Sequence, residues 1–282
     1  MLSKTFLVAA LAAAVSATPI AQGQSSYSSA PAAPAPTGSV VPSAASYAPS
    51  SAAPAPTGAT GPVAANLPAP TGLVAKLLTE PNTVTRFTDL QKELAAGTIN
   101  LKFDFNPAAN PNVTPGQGGQ VDLAQRANFP ILTGTGISAA GIFFNPCGLN
   151  TPHFHPRATE FLTLVTDTRM LSGFVLENGL ASEFNTTLTQ YQGTVFPQGS
   201  IHFQQNLDCK PAVAIAGLNS EDPGASSVAQ NFIVNLDPEI VDATLGFPKE
   251  INADNFQQFR KNIPASLAKG VEECLIRCHI AY

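Results

Sequence analysis

An all-β barrel or jelly roll with a helical tail is the fold this sequence predicts, and three observations predict it. Between Phe129 and Val234, short apolar runs recur with turn residues between them, the pattern of many short strands. After Asp237 the spacing lengthens to that of helices. Before about Gly72 there is nothing to fold: no charged residue lies between Lys4 and Lys76, in a 282-residue chain with 25 prolines and 12% charged residues. The low charge and high proline thus belong mostly to one region, and the two parts are read separately.

Met1–Ala17 has the layout of a secretory signal peptide, with Lys4, the apolar run Phe6–Val15 and the small residues Val15-Ser16-Ala17. That run is too short for a bilayer, which takes about 20 residues, and no later run approaches that length. A secreted protein without a membrane span is expected. From Thr18 to Gly72, Ala, Pro, Ser, Thr and Gly dominate, and Ala-Pro-Ala-Pro-Thr-Gly occurs at 33–38 and again at 53–58. Such a segment buries too little apolar surface to offset its ordering entropy. The expectation is a disordered stalk of the kind that carries O-glycans and spaces a domain from a wall or matrix. The folded domain is expected over 73–282.

Within it, Leu73–Ala96 is predicted to be helical in part and to stop at Gly97. Thr98–Phe105 alternates through Ile99, Leu101, Phe103 and Phe105, as a half-buried strand does. Further strands are predicted at Phe129–Leu132, Ile137–Phe144, Glu160–Val165, Met170–Leu176, Ser182–Leu188, Gly193–Phe196, Ile201–Gln205, Val213–Leu218 and Ala229–Val234. Asn145-Pro146, Thr166-Asp167, Glu177-Asn178-Gly179 and Pro197-Gln198-Gly199 separate them as turns. Asp237-Pro238-Glu239 reads as an N-cap with proline at the first helical position, closed by Gly246. Asn252–Lys261 and Pro264–His279 read as two further helices.

Two of the four histidines, His153 and His155, stand one residue apart, with Glu160 five residues later. On a strand His153 and His155 face one way and Phe154 the other, which makes half a metal site. His202 follows the turn at Pro197 and Gly199, which launches its strand and sets its direction. Taken alone, a strand histidine is more often structural, but the upstream cluster supplies the partners it would need. A formal net charge of −5, unclustered, offers no basic patch for nucleic acid. No Gly-rich phosphate loop or Ser–His–Asp spacing is present. Cys147, Cys209, Cys274 and Cys278 in a secreted chain point to disulfides, with three pairings open. Asn112-Val113-Thr114 and Asn185-Thr186-Thr187 are glycosylation sequons.

Gly148-x4-His153-x-His155-x4-Glu160, followed by Pro197-x-Gly199-x2-His202-x3-Asn206, resembles the paired motifs of germin-like cupins, spherulin-type members in particular. The resemblance covers about Thr98 to Leu236, and the helical tail is also similar. It implies a single RmlC-like jelly-roll cupin barrel holding one metal, manganese in most germins, on His153, His155, Glu160 and His202. The donor set by itself suits Mn, Fe, Co, Ni or Zn. A divalent ion with three neutral imidazoles and one carboxylate keeps one net positive charge, so small anions such as oxalate or superoxide are the expected substrates. Asn150 matches the position of a substrate-binding asparagine in germin oxalate oxidases; the alternative role is to shape the turn before Pro152. Arg157 is expected to pair with Glu160 or another acid. Where the family has glycine, this chain has Cys147, Asp167 and Tyr191, and the family's N-terminal cysteine pair is missing.

An antiparallel ladder through His153 and His202 sets Cys147 within one residue of facing Cys209, so Cys147–Cys209 and Cys274–Cys278 are the expected bridges. Two functions follow from the resemblance. One is a metal-dependent oxidoreductase of oxalate-oxidase or superoxide-dismutase type. The other is a non-catalytic, wall-associated or stress-expressed cupin of the spherulin kind, whose metal stabilises the barrel. Homo-oligomers through the barrel and tail helices are expected in either case.

Overall fold

The computed structural model describes residues 66–110, 116–180, 182–246, 255–264 and 267–281; the signal-like segment, most of the stalk and the Asn112 sequon lie outside them. Two helices come first, α1 (Leu73–Thr79) and α2 (Thr83–Ala95). The Asn82 side chain caps α2 by accepting from the Thr85 N–H at 3.0 Å. Leu73, Leu77, Leu90 and Ile99 pack together as a small core of their own. Ten strands follow among the described residues: β1 (Gly119–Ala124), β2 (Ser138–Phe144), β3 (Leu149–Phe154), β4 (Glu160–Leu164), β5 (Met170–Val175), β6 (Phe184–Leu188), β7 (Gly193–Phe196), β8 (Ile201–Asn206), β9 (Ala212–Leu218) and β10 (Ser226–Ser227). Three short helices close the chain, α3 (Pro238–Thr244), α4 (Phe256–Lys261) and α5 (Glu272–Arg277).

The strands form two five-stranded sheets, ordered β1-β2-β9-β4-β7 and β10-β3-β8-β5-β6, with antiparallel neighbours. Their inner faces meet in one core that includes Ile142, Phe144, Leu162, Leu164, Met170 and Phe196. Side-chain alternation decides what else enters it. On β4, Glu160, Leu162 and Leu164 are buried while Phe161 is exposed, so a carboxylate shares the face of two core leucines. On β8 the same parity buries His202, Gln204 and Asn206.

Several predicted strands are something else. Thr98–Phe105 is irregular, with bends at Thr98, Ile99 and Leu101 and no ladder partners. The backbone N–H of Asp104 donates to Asn66 Oδ1 and its carbonyl accepts from Asn66 Nδ2, so a side chain takes the place of a neighbouring strand. Phe129–Leu132 tightens into a 3₁₀ turn at Pro130–Leu132, with proline at its start. Ala229–Val234 winds into a π-helical turn, Gln230–Asn235. Conversely, β1 went unread because Gln120 and Asp122 interrupt Val121 and Leu123; Asp122 is nonetheless fully buried. Helix α3 has the predicted cap, the Asp237 side chain accepting from the Glu239 N–H at 2.9 Å. The predicted helix Pro264–His279 reduces to α5. Ala268 instead pairs with Leu149, each N–H donating to the other's carbonyl, at 2.9 and 3.0 Å.

The disulfide expectation is overturned. The bridges are Cys147–Cys274 and Cys209–Cys278, with Cα–Cα distances of 5.7 and 5.2 Å. Two causes combine. The β3–β8 ladder pairs His153 with His202 as assumed, but it slips by one residue between Asn150 and His153; extended past Leu149 it sets Cys147 opposite Leu207. On the helical side, Cys274 and Cys278 are four apart and share one face, so both turn toward the strand ends and each takes a partner there. Cys147 itself has φ 61, and Tyr191 has φ 64. The chain thus keeps left-handed backbone at two non-glycine positions, at about 1–2 kcal/mol each.

Non-reduced peptide mapping should return Cys147–Cys274 and Cys209–Cys278 peptides, and reduction should lower stability in urea by about 2–5 kcal/mol. A Cys274–Cys278 peptide would contradict the observed packing of α5.

Candidate metal centre

Strand β3 carries His153, and His155 stands one residue beyond its end; both are buried. Glu160 opens β4 in the other sheet, and His202 faces His153 from β8. One ligand atom from each of the four lies within 4.8 Å of all the others. The structure therefore brings together the four residues that the sequence singled out.

Backbone carbonyls settle which imidazole nitrogen turns inward. His153 Nδ1 contacts the Thr151 carbonyl at 2.8 Å, His202 Nδ1 the Ser200 carbonyl at 2.8 Å, and His155 Nδ1 the Gly224 carbonyl. A carbonyl can only accept, so each Nδ1 holds the proton in the neutral ring and each Nε2 presents a lone pair to the centre. Local sequence explains each carbonyl. The Ser200 N–H donates to the Pro197 carbonyl and the Gly199 N–H to the His155 carbonyl, at 3.0 and 3.1 Å, so the Pro-x-Gly turn aims His202. The loop that holds Gly224 is tied by Arg157, which donates to the Asp222 carbonyl and Oδ1, and by Arg126, which pairs with Glu221 and Asp222. Arg157 pairs with Asp222 rather than with Glu160. Gly224 has φ +67, and a side chain there would press on Pro156 and Arg157.

Electrostatics sort the four groups. Burial pushes the His153 imidazole down to about 3, with His202 adding to the effect. Burial also works against charge on His155, but the Glu160 carboxylate outweighs it and holds His155 above its usual value. For Glu160, burial would raise the carboxyl, yet the bond from His155 and the nearness of His202 hold it down at about 2. His155 Nε2 and Glu160 Oε2 are 2.9 Å apart; His202 Nε2 lies 3.4 Å from that oxygen without a hydrogen bond. Glu160 Oε1 and His202 Nε2 are buried with no hydrogen-bond partner. Buried polar atoms rarely go unpaired. Two such atoms on a three-imidazole, one-carboxylate set fit a divalent transition metal, and no thiolate is present to suit copper(I).

His153, His155 and Glu160 line a cavity of about 220 Å³. Its polar side includes Asn150, Thr151 and Ser227, and its apolar side includes Val121, Ile142 and Leu267. Asn150 Nδ2 donates to Gln204 Oε1 at 2.7 Å, so one amide hydrogen is committed to the wall. Gln204 was missed by sequence reasoning, although it lies two residues after His202 and shares its face. The Gly224 carbonyl left no sequence signal beyond a glycine in a loop. Phe196, directly opposite Glu160 in the β4–β7 ladder, stacks on the His202 ring with centroids 4.5 Å apart. It braces one sheet's ligand against the other's.

A family model described as Cupin matches residues 105–253. Spherulin-1A of Physarum polycephalum is 34% identical over 206 residues, which cover 73% of this chain and 78% of the relative. Germin-like protein 8-5 of Oryza sativa subsp. japonica is 43% identical over 150 residues, 52% of this chain and 66% of the relative. Among solved structures, the recombinant pro-11S globulin of pumpkin has a TM-score of 0.54 at 16% identity, covering 63% of this chain and 45% of that one. That last likeness is one of fold alone.

Protons and metal compete for the same nitrogens. His155 holds its proton above the usual imidazole value, so metal affinity should start to fall at a higher pH than for a free imidazole, by about tenfold per unit below that point. Metal titrations at pH 7.5 and 5.5 check the sign; equal affinities would contradict it. Glu160→Gln removes the carboxylate and should weaken uptake at both values.

Proposed function

The chain belongs to the cupin family, and from that premise we propose that it is a secreted, germin-like, mononuclear-metal oxidoreductase acting on a small anion, oxalate or superoxide. The observation that carries this reading is the convergence of His153, His155, Glu160 and His202 around two unpartnered buried atoms, at the wall of a small and largely apolar cavity. Manganese is the metal proposed, held by those four residues. When bound, it supplies a Lewis-acid centre and a one-electron couple.

The remaining steps fall to the chain itself. The three Nδ1–H contacts fix the imidazoles in direction and turn each Nε2 toward the centre. Three neutral rings and one carboxylate leave a divalent site with one net positive charge, which draws an anion into a cavity with apolar walls. The second amide hydrogen of Asn150, the one not given to Gln204, is the donor we assign to the bound anion. Disulfides form in oxidising compartments, and the two bridges support secretion. No described helix is long and apolar enough to cross a membrane. Attachment to a cell wall through the stalk belongs to the same proposal. So does self-association, which rests on exposed Phe161, Val195 and Ile215 on one sheet face and Ile276 on α5.

One observation favours a second reading, in which the metal only stabilises the barrel: the spherulin match spans 73% of this chain and the germin-like match 52%. A single set of measurements separates the two. The purified protein should contain manganese and show oxalate-dependent peroxide release or superoxide dismutation. Stoichiometric manganese with neither activity would leave the stabilising role and end the catalytic one. His202→Ala should abolish metal binding under both readings, and retained stoichiometric metal would overturn the site assignment.

A further inference from the structure

One wall of the cavity does not come from the barrel. Val121, Leu123, Ile142 and Leu218 belong to strands β1, β2 and β9, whereas Leu267 is brought in by the tail. We propose that Leu267 is the specificity-determining residue of the metal cavity, limiting it to the smallest anions, and that the tail from 267 to 278 is the strap that positions it. The inference rests on the metal reading above and adds a selection by size.

The strap is fastened at this residue and at several points beyond it. The Leu267 carbonyl accepts from the Gly118 N–H at 3.0 Å, and the next residue, Ala268, exchanges two hydrogen bonds with Leu149. Leu149 directly precedes Asn150, which lines the same cavity. Three residues on, Gly270 runs so close to Cys147 that any side chain there would collide with the Cys147 carbonyl. The two disulfides then fix α5 to the ends of β3 and β8. Leu267 itself is 3% exposed and packed into the main core. With its backbone fastened and its side chain packed in the core, Leu267 has little room to move aside for a larger ligand.

The dimensions and chemistry agree. A cavity of about 220 Å³ is below the ~300–1,000 Å³ usual for drug-sized ligands. Leu267 offers no hydrogen bond, so it discriminates by bulk alone. In a hydrophobic pocket, one methylene too many or too few changes affinity roughly 10–200-fold.

The test uses the full chain loaded with cobalt(II), whose visible band reports anion binding, titrated with formate, acetate, propionate and butyrate. In the parent protein affinity should fall at least about tenfold between acetate and butyrate. Leu267→Ala should raise butyrate affinity by about tenfold or more and leave formate within about threefold. Leu267→Phe should act in the opposite sense and weaken acetate as well; it decides the matter alone if the alanine variant does not fold. A cobalt band in all proteins with parallel affinity series would overturn the role of Leu267 and leave the metal reading intact. No cobalt band in the parent chain would overturn the metal reading, and this inference with it.

Discussion

A carboxylate almost wholly removed from water sets the terms for this barrel. Glu160 is 3% exposed and lies in phase with Leu162 and Leu164, so strand parity alone drives it into the core. An isolated charge in such a place costs several kcal/mol. Three imidazoles arranged around it answer that cost, and they in turn need one strand end, one facing strand and two turns held in place. The β3–β8 pairing, the Pro-x-Gly turn and the arginine-tied loop at Gly224 are all consequences of keeping one buried charge in company. An apolar residue at 160 would pack more cheaply, which is why a carboxylate there signals chemistry.

The two sheets divide this labour unequally. One contributes the histidines, the other the carboxylate, and Phe196 joins them by standing opposite Glu160 while stacking on His202. The site therefore belongs to the packing of the sheets and not to either sheet alone. Its proton-holding nitrogens all face backbone carbonyls, which no side-chain substitution can remove directly. That makes ring orientation a property of the fold, and leaves the cavity wall as the place where side chains tune what enters.

The parts of this arrangement that were legible in the sequence share a cause. His153, His155, Glu160, His202 and the strands that carry them follow from period-two alternation and from turns marked by proline and glycine, both local properties. What was not legible depends on pairing between distant segments. A one-residue slip between Asn150 and His153 redirected the cysteines, and nothing in the spacing announces such a slip. Thr98–Phe105 alternates as a strand does, yet it bends, and at Asp104 the Asn66 side chain takes both backbone groups. Strand β1 was hidden because its outward side chains, Gln120 and Asp122, are polar, although Asp122 is buried. The Gly224 carbonyl had no signature, since the main chain looks alike at every residue.

The two disulfides interleave along the chain, since Cys209 lies inside the loop closed by Cys147 and Cys274, while Cys278 lies outside it. This has a topological consequence. A protease that cuts once anywhere between Cys147 and Cys278 severs the backbone but releases nothing, because at least one bridge always spans the cut. All four candidate ligands and Leu267 lie within that stretch. The centre can therefore survive a nick in any of its loops with its parts still tethered: the Cys147–Cys274 bridge spans every such cut, and the Cys209–Cys278 bridge extends the tether to the end of the tail.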